Sequence, residues 1–127
     1  MYESGENYLE TILILSQREG FVRSIDIARE LNYSKPSVSR AVGILKEEGY
    51  ILIDDAGTIK LTEEGKQRAE SVYERHRILM EFLMLTAKVS SETAEEDACR
   101  MEHIISEETF LGIKEYLKKQ MKYDKNE

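Results

Sequence analysis

The chain has 127 residues, enough for one domain or two small ones sharing a core, and its 34% charged and 41% hydrophobic residues fit a water-exposed, helix-rich fold. One cysteine excludes an intramolecular disulfide. The opening Met1-Tyr2-Glu3-Ser4-Gly5-Glu6 lacks the features of a signal peptide and no apolar run reaches bilayer length, so we expect a cytoplasmic protein with no membrane partner.

The net charge of -7 weighs against nucleic acid as a partner if the chain is taken whole, because phosphate contacts supply most non-specific affinity. The distribution of charge points the other way. Residues 20–49 are nearly balanced, with Arg23, Arg29, Lys35, Arg40 and Lys46 against Asp26, Glu30, Glu47 and Glu48. The acidic excess comes later, at Glu92, Glu95, Glu96, Asp97, Glu102, Glu107 and Glu108, where it suits cations.

Residues 4–18 predict a helix, with Tyr8, Ile12 and Leu15 as an apolar stripe flanked by Leu9 and Leu13, and Gly20 as its end. Asn7 and Glu10, three apart, fall on one side of it; taken by themselves they read as a solvated polar face. Ser24 is the expected N-cap of a short helix that turns Ile27, Ala28 and Leu31 inward. After the tight connection Asn32-Tyr33, Ser34 caps a second helix with Pro36 in its first turn, where a missing N–H costs nothing. That helix runs to about Glu48, with Val38, Val42, Ile44 and Leu45 as apolar positions and Gly49 as terminator.

Two helices joined by so short a turn fit a helix-turn-helix as well as an ordinary helical hairpin. The second presents Ser37, Ser39, Arg40 and Gly43 outward, a surface able to contact phosphates and base edges. Residues 50–61 decide between the two. Tyr50-Ile51-Leu52-Ile53-Asp54 is strand-like, Asp55-Ala56-Gly57 is a hairpin turn, and Thr58-Ile59-Lys60-Leu61 is the return strand. A hairpin directly after a helix-turn-helix is a winged-helix arrangement, and double-stranded DNA is the expected partner.

Thr62 caps a long helix to about Ala87, striped by Val72, Leu79, Phe82, Leu83 and Leu85, with Glu63 and Glu64 in its first turn. His76, near its middle, reads as a polar surface residue. Beyond the link Lys88-Val89-Ser90-Ser91 lies Asp97-Ala98-Cys99-Arg100-Met101-Glu102-His103. If helical, it puts Cys99, Glu102 and His103 within an arc of roughly 100° on one face. Thiolate, carboxylate and imidazole together can hold a transition metal. The plainer reading is a small buried thiol and a solvated Glu-His pair. Ser106 caps a last helix to about Lys119 with Phe110, Ile113 and Leu117 inward, and Met121 to Glu127 is a polar tail. The fold class expected is mainly α: a winged helix-turn-helix over residues 1–62, then an all-helical domain over 63–120.

This order of parts, with Asn7-Tyr8-Leu9-Glu10, Lys35-Pro36-Ser37-Val38-Ser39, His76-Arg77-Ile78-Leu79 and the Cys-x-x-Glu-His stretch, resembles the diphtheria-toxin-repressor family of metal-dependent transcriptional repressors. The resemblance covers about residues 4–119. It implies a homodimer on a palindromic operator, a helical domain for dimerisation and metal binding, metal-activated DNA binding and control of metal homeostasis, with no small-molecule substrate. It implies a divalent metal, Fe(II) or Mn(II), for which Co(II) or Zn(II) substitutes. Carried over by position, one metal site uses Cys99, Glu102 and His103 with Asn7; a second uses Glu10 and His76, bridged by Glu102. Ser34, Lys35, Pro36, Ser37, Ser39 and Arg40 form the DNA-reading end of the recognition helix.

Two departures stand out. Position 7 is a carboxylate in manganese-responsive members and a methionine in iron-responsive ones, whereas here it is Asn7. Met80 replaces a carboxylate one turn after His76, and Glu95, one turn before Cys99, is a substitute ligand. The chain ends without the SH3-like domain of the iron-responsive branch and in that looks like the shorter, manganese-responsive one.

Two other readings compete. A winged-helix regulator indifferent to metal would use Cys99 as a redox switch or as core. An enzyme would use Cys99 and His103 as nucleophile and base, but no Gly-rich oxyanion loop and no group to orient the histidine accompany them, and no enzyme is expected.

Overall fold

A computed structural model describes residues 3–125 as six helices and one two-stranded sheet. The chain divides into two compact units, Met1–Ser71 and Val72–Glu127, and the division falls inside the longest helix.

The first unit holds α1 (Glu3–Glu19), α2 (Ser24–Leu31), α3 (Lys35–Glu47), β1 (Ile51–Ile53), β2 (Ile59–Leu61) and the start of α4 (Glu63–Thr86). Leu9, Ile12 and Leu15 of α1, Ile27 of α2, Val38, Val42 and Leu45 of α3, and Ile51 and Ile59 of the strands are buried. Helical and strand periodicities thus put their apolar sides into one core. The 3.6-residue period assigns Ile44 wrongly: it is 49% exposed, because Val42 and Leu45 already fill the inward arc of α3.

Local chemistry explains the boundaries. Gly20 takes φ 84° after α1, a left-handed value that favours glycine. α2 starts one residue earlier than expected. Its N-cap is Arg23, and Ser24 is the first helical residue. The cap works in reverse: the Asp26 carboxylate accepts from the Arg23 main-chain N–H at 2.9 Å. Asn32, at φ 56°, turns the chain out of α2 in the left-handed region that asparagine tolerates better than most residues. Ser34 then caps α3 by accepting from the Ser37 N–H at 3.3 Å.

The strands pair antiparallel with Ile51 opposite Leu61 and Ile53 opposite Ile59. Their turn is organised by Asp54, whose Oδ1 accepts from the N–H groups of Ala56 and Thr58, both at 2.9 Å. Gly57 supplies the positive φ the turn needs. The Ile59 N–H donates to the Val22 carbonyl at 2.7 Å, which ties the wing to the segment between α1 and α2. At the start of α4 the Thr62 hydroxyl donates to the Gly49 carbonyl and accepts from the Gly65 N–H. One side chain thereby joins the end of the recognition-helix segment to the next helix.

The second unit holds the rest of α4, α5 (Ser91–Met101) and α6 (Glu107–Lys125). Ser90 caps α5, accepting from the Thr93 N–H, and Ser106 caps α6, accepting from the Thr109 N–H. Leu79, Ala94, Ala98, Phe110 and Leu117 are buried, Phe82 meets Tyr116 edge-on at 6.1 Å, and Lys114 pairs with Glu74 at 2.8 Å. Leu85, expected in the α4 stripe, is exposed near the end of the helix. α6 continues through Lys125 and so absorbs most of the stretch 121–127 expected to be a tail. Beyond Gly112 its Lys, Gln and Met residues favour helix and no Gly or Pro interrupts them. Residues 126 and 127 lie outside the described residues.

Candidate metal centre and DNA-reading surface

α5 carries Cys99 in its last turn and Glu102 as its C-cap, still with helical torsions. Main-chain N–H groups of Ile104 and Ile105 both reach back to the Met101 carbonyl, so the chain coils tightly before Ser106 starts α6. His103 therefore sits in a turn, not on a continuing helix. The side chains of Glu102 and His103 are buried, whereas Cys99 is exposed.

His76 of α4 is buried too, contrary to its surface reading. Its Nδ1 lies 2.8 Å from Glu102 Oε2 and its Nε2 lies 2.9 Å from Glu95 Oε2. Glu95 is the more exposed of the two carboxylates. The hydrogen bond to Glu102 is the largest influence on His76; it and Glu95 outweigh burial and push the imidazole up to about 9. At neutral pH His76 is thus a cation between two carboxylates.

The other oxygen of Glu102 is unusual. Oε1 is buried, accepts no hydrogen bond, and lies 3.2 Å from His103 Nε2. A buried polar atom left without a hydrogen bond costs on the order of 1–3 kcal/mol, more when charged. A cation is the partner that would repay this, and the imidazoles nearest the carboxylate are His103, 3.2 Å from Oε1, and His76, 2.8 Å from Oε2. This set fits a divalent transition metal.

At the start of α3, Ser34, Lys35, Pro36, Ser37, Ser39 and Arg40, expected to read DNA, are all exposed. Two of them are occupied with each other: Ser34 Oγ donates to Ser37 Oγ at 2.8 Å as well as capping the helix. Lys35, Ser39 and Arg40 are the remaining polar side chains of this surface. Among the described residues no helix is long and apolar enough to cross a membrane.

Sequence reasoning singled out Glu102, His103 and the polar outer positions of α3, but not the burial of Glu102. It missed Arg75. The Arg75 guanidinium donates to the main-chain carbonyls of Glu102 and Ile105, both at 3.2 Å, and bonds the Glu107 carboxylate. No periodicity marks such a contact, because its partners lie 27 and 30 residues away.

A winged helix-turn-helix in one unit and a buried histidine–carboxylate cluster in the other define a class: a transcription regulator with a DNA-binding domain and a separate metal-responsive domain. The chain belongs to the iron-dependent repressor family. Residues 1–57 match its N-terminal DNA binding domain and residues 62–125 its metal binding and dimerisation domain. The transcriptional regulator MntR of Escherichia coli O157:H7 is 35% identical over 114 residues, which cover 90% of this chain and 73% of that one. The diphtheria toxin repressor of Corynebacterium glutamicum is 30% identical over 118 residues, covering 92% of this chain and 51% of its own. The structure of the manganese regulator SloR superposes with a TM-score of 0.81 at 31% identity, covering 90% of this chain and 53% of that one. The chain thus spans about half the length of these last two proteins. These relatives are transcription regulators, and the fold class and family expected from the sequence are confirmed.

Proposed function

We propose that this chain is a repressor whose homodimer binds a palindromic operator more tightly when each subunit holds a divalent transition metal, and that it adjusts metal homeostasis in the cytoplasm. The observation that carries the metal reading is Glu102: a buried carboxylate with one oxygen on His76 and the other lacking a hydrogen bond beside His103.

A bound divalent ion supplies a fixed positive charge and directional bonds that tie its ligands together. Glu102 would offer both oxygens, and His103 and His76 their imidazole nitrogens. His76 must first give up a proton, since in the metal-free state its two ring N–H groups donate to Glu102 and Glu95. Cys99 would supply a thiolate and Glu95 a carboxylate. Asn7 and Glu10 are proposed as ligands on the sequence resemblance. Fe(II) or Mn(II) are the proposed physiological metals, with Co(II) and Zn(II) able to replace them. On α3, Arg40, Ser39 and Lys35 would meet base edges and phosphates, while Ser34 and Ser37 hold the helix start in shape.

The test is operator affinity measured anaerobically across Mn(II), Fe(II), Co(II) and Zn(II), and again with chelator. Tight binding only with metal is expected. An affinity indifferent to chelator would remove the metal reading and leave a winged-helix regulator that senses something else.

A further inference from the structure

Glu102 is held at two points by neighbouring residues of α4. His76 takes its side chain through the 2.8 Å contact to Oε2, and Arg75, the residue just before, takes its main chain through the 3.2 Å hydrogen bond to its carbonyl oxygen. The same Arg75 nitrogen also donates to the Ile105 carbonyl, so its two acceptors bracket His103 and Ile104. The second guanidinium nitrogen is anchored on Glu107, in the first turn of α6, and the guanidinium carbon lies 5.1 Å from the centre of the Phe110 ring.

Taken together, these contacts suit Arg better than Lys. Glu102 caps α5, where carbonyls without helical partners carry partial negative charge that a cation relieves. A planar guanidinium can donate to two carbonyls and a carboxylate at once while stacking on an aromatic face; an ammonium is a point charge that cannot do all of these. Arg75 is mostly buried and Glu107 mostly exposed, so the fork faces inward onto the turn and is fastened at the surface.

We infer that Arg75 is the positioning residue of the metal centre: it fixes the backbone of residues 102–105 so that the Glu102 carboxylate and the His103 imidazole are already placed for a metal. It touches no metal itself and acts through the residues that do. This rests on the metal reading proposed above. Groups that orient the ligands of a metal typically change its affinity by about 10–100-fold when lost, and a ligand pair held in place before binding pays less ordering cost at the moment of binding.

The experiment is a Co(II) titration of the full chain, followed by visible absorption, for wild type, Arg75→Gln and Arg75→Lys. Co(II) should bind wild type. Arg75→Gln should raise the dissociation constant about 10–100-fold, with an altered cobalt spectrum, while circular dichroism and sedimentation of the metal-free protein stay as in wild type. Arg75→Lys should recover part of the loss. If Arg75→Gln lowers only the melting temperature of the metal-free protein and leaves cobalt affinity and spectrum intact, the role is purely structural and the inference is overturned. Should Arg75→Gln fail to fold, Glu107→Gln removes the exposed anchor alone; a smaller weakening in the same direction supports the inference and unchanged affinity overturns it. Wild type that binds no cobalt would overturn the metal reading itself, and this inference with it.

Discussion

His76 and Glu102 stand 26 residues apart in the chain and 2.8 Å apart in the fold, a buried imidazolium on a fully buried carboxylate. The pair makes two demands on the protein. In the metal-free state a proton holds it together, and a metal held by His76, as proposed, would displace that proton.

The first prediction comes from the sign of this shift. His76 is raised from 6.5 to about 9 in the folded chain. A raised folded value means that the folded state binds the proton more tightly than the unfolded state. The stabilisation is therefore complete below pH 6.5 and is lost as pH rises toward about 9. Urea unfolding of metal-free protein should show wild type losing stability across that window relative to His76→Gln. Parallel curves for the two proteins would contradict it. Because the metal needs neutral imidazole, proton release should accompany metal binding near pH 7.

Arg40 is exposed on the recognition helix and is the arginine of that surface. Arg40→Ala should weaken operator binding by about 1–3 kcal/mol if the side chain reads a base. Measured against scrambled duplexes at several salt concentrations, a base contact should relax specificity at one position. A uniform loss with a shallower salt slope would mean phosphate contact only. Unchanged operator affinity would sink the assignment of α3 as the reading helix.

As a proposed ligand, Cys99 would offer a softer donor than a carboxylate oxygen. Mn(II) binds most weakly in the first-row series and prefers oxygen, and the neutral Asn7 again disfavours it. Wild type should hold Fe(II), Co(II) and Zn(II) more tightly than Mn(II). Cys99→Glu should shift activation of DNA binding toward Mn(II) and weaken the response to Co(II) and Zn(II). A cobalt complex of wild type without an intense near-ultraviolet thiolate band would show that Cys99 is not a ligand.

Two glycines should respond to alanine with opposite signs. A Cβ at Gly65 would lie 1.9 Å from the Tyr50 carbonyl oxygen, where backbone must give way. Gly65→Ala should destabilise the protein by at least the ~1–3 kcal/mol typical of overpacking. At Gly43, inside α3, nothing lies within 4 Å. There Gly→Ala should stabilise by about 0.5–1 kcal/mol. Urea midpoints read both, and equal changes would mean that the approach of α4 to Tyr50 is not tight.

The winged helix was legible in the chain because its determinants are local. Ser34 and Pro36 start α3, Asp54 and Gly57 turn the wing, and Thr62 starts α4, each through contacts within four residues or by its own torsion preference. The kinds of residue able to bind metal were equally plain near positions 99–103. Which of them are buried was not. His76 lies in the polar run Glu74-Arg75-His76-Arg77, so its polarity suggests solvent, although its spacing from Val72 and Leu79 puts it on their inward stripe. It is buried because residues 19 and 26 positions later fold against it. Ile44 and Leu85 fail in the other direction, since an apolar side chain at helical spacing is inward only if another element arrives to cover it. Arg75 is the extreme case: its acceptors are main-chain oxygens, which every residue has, so no sequence pattern could reveal them. Sequence by itself determined most of the secondary structure and the class of regulator. Only tertiary structure decided which side chains lose their water, and hence where a proton, or a metal, is needed to balance a buried carboxylate.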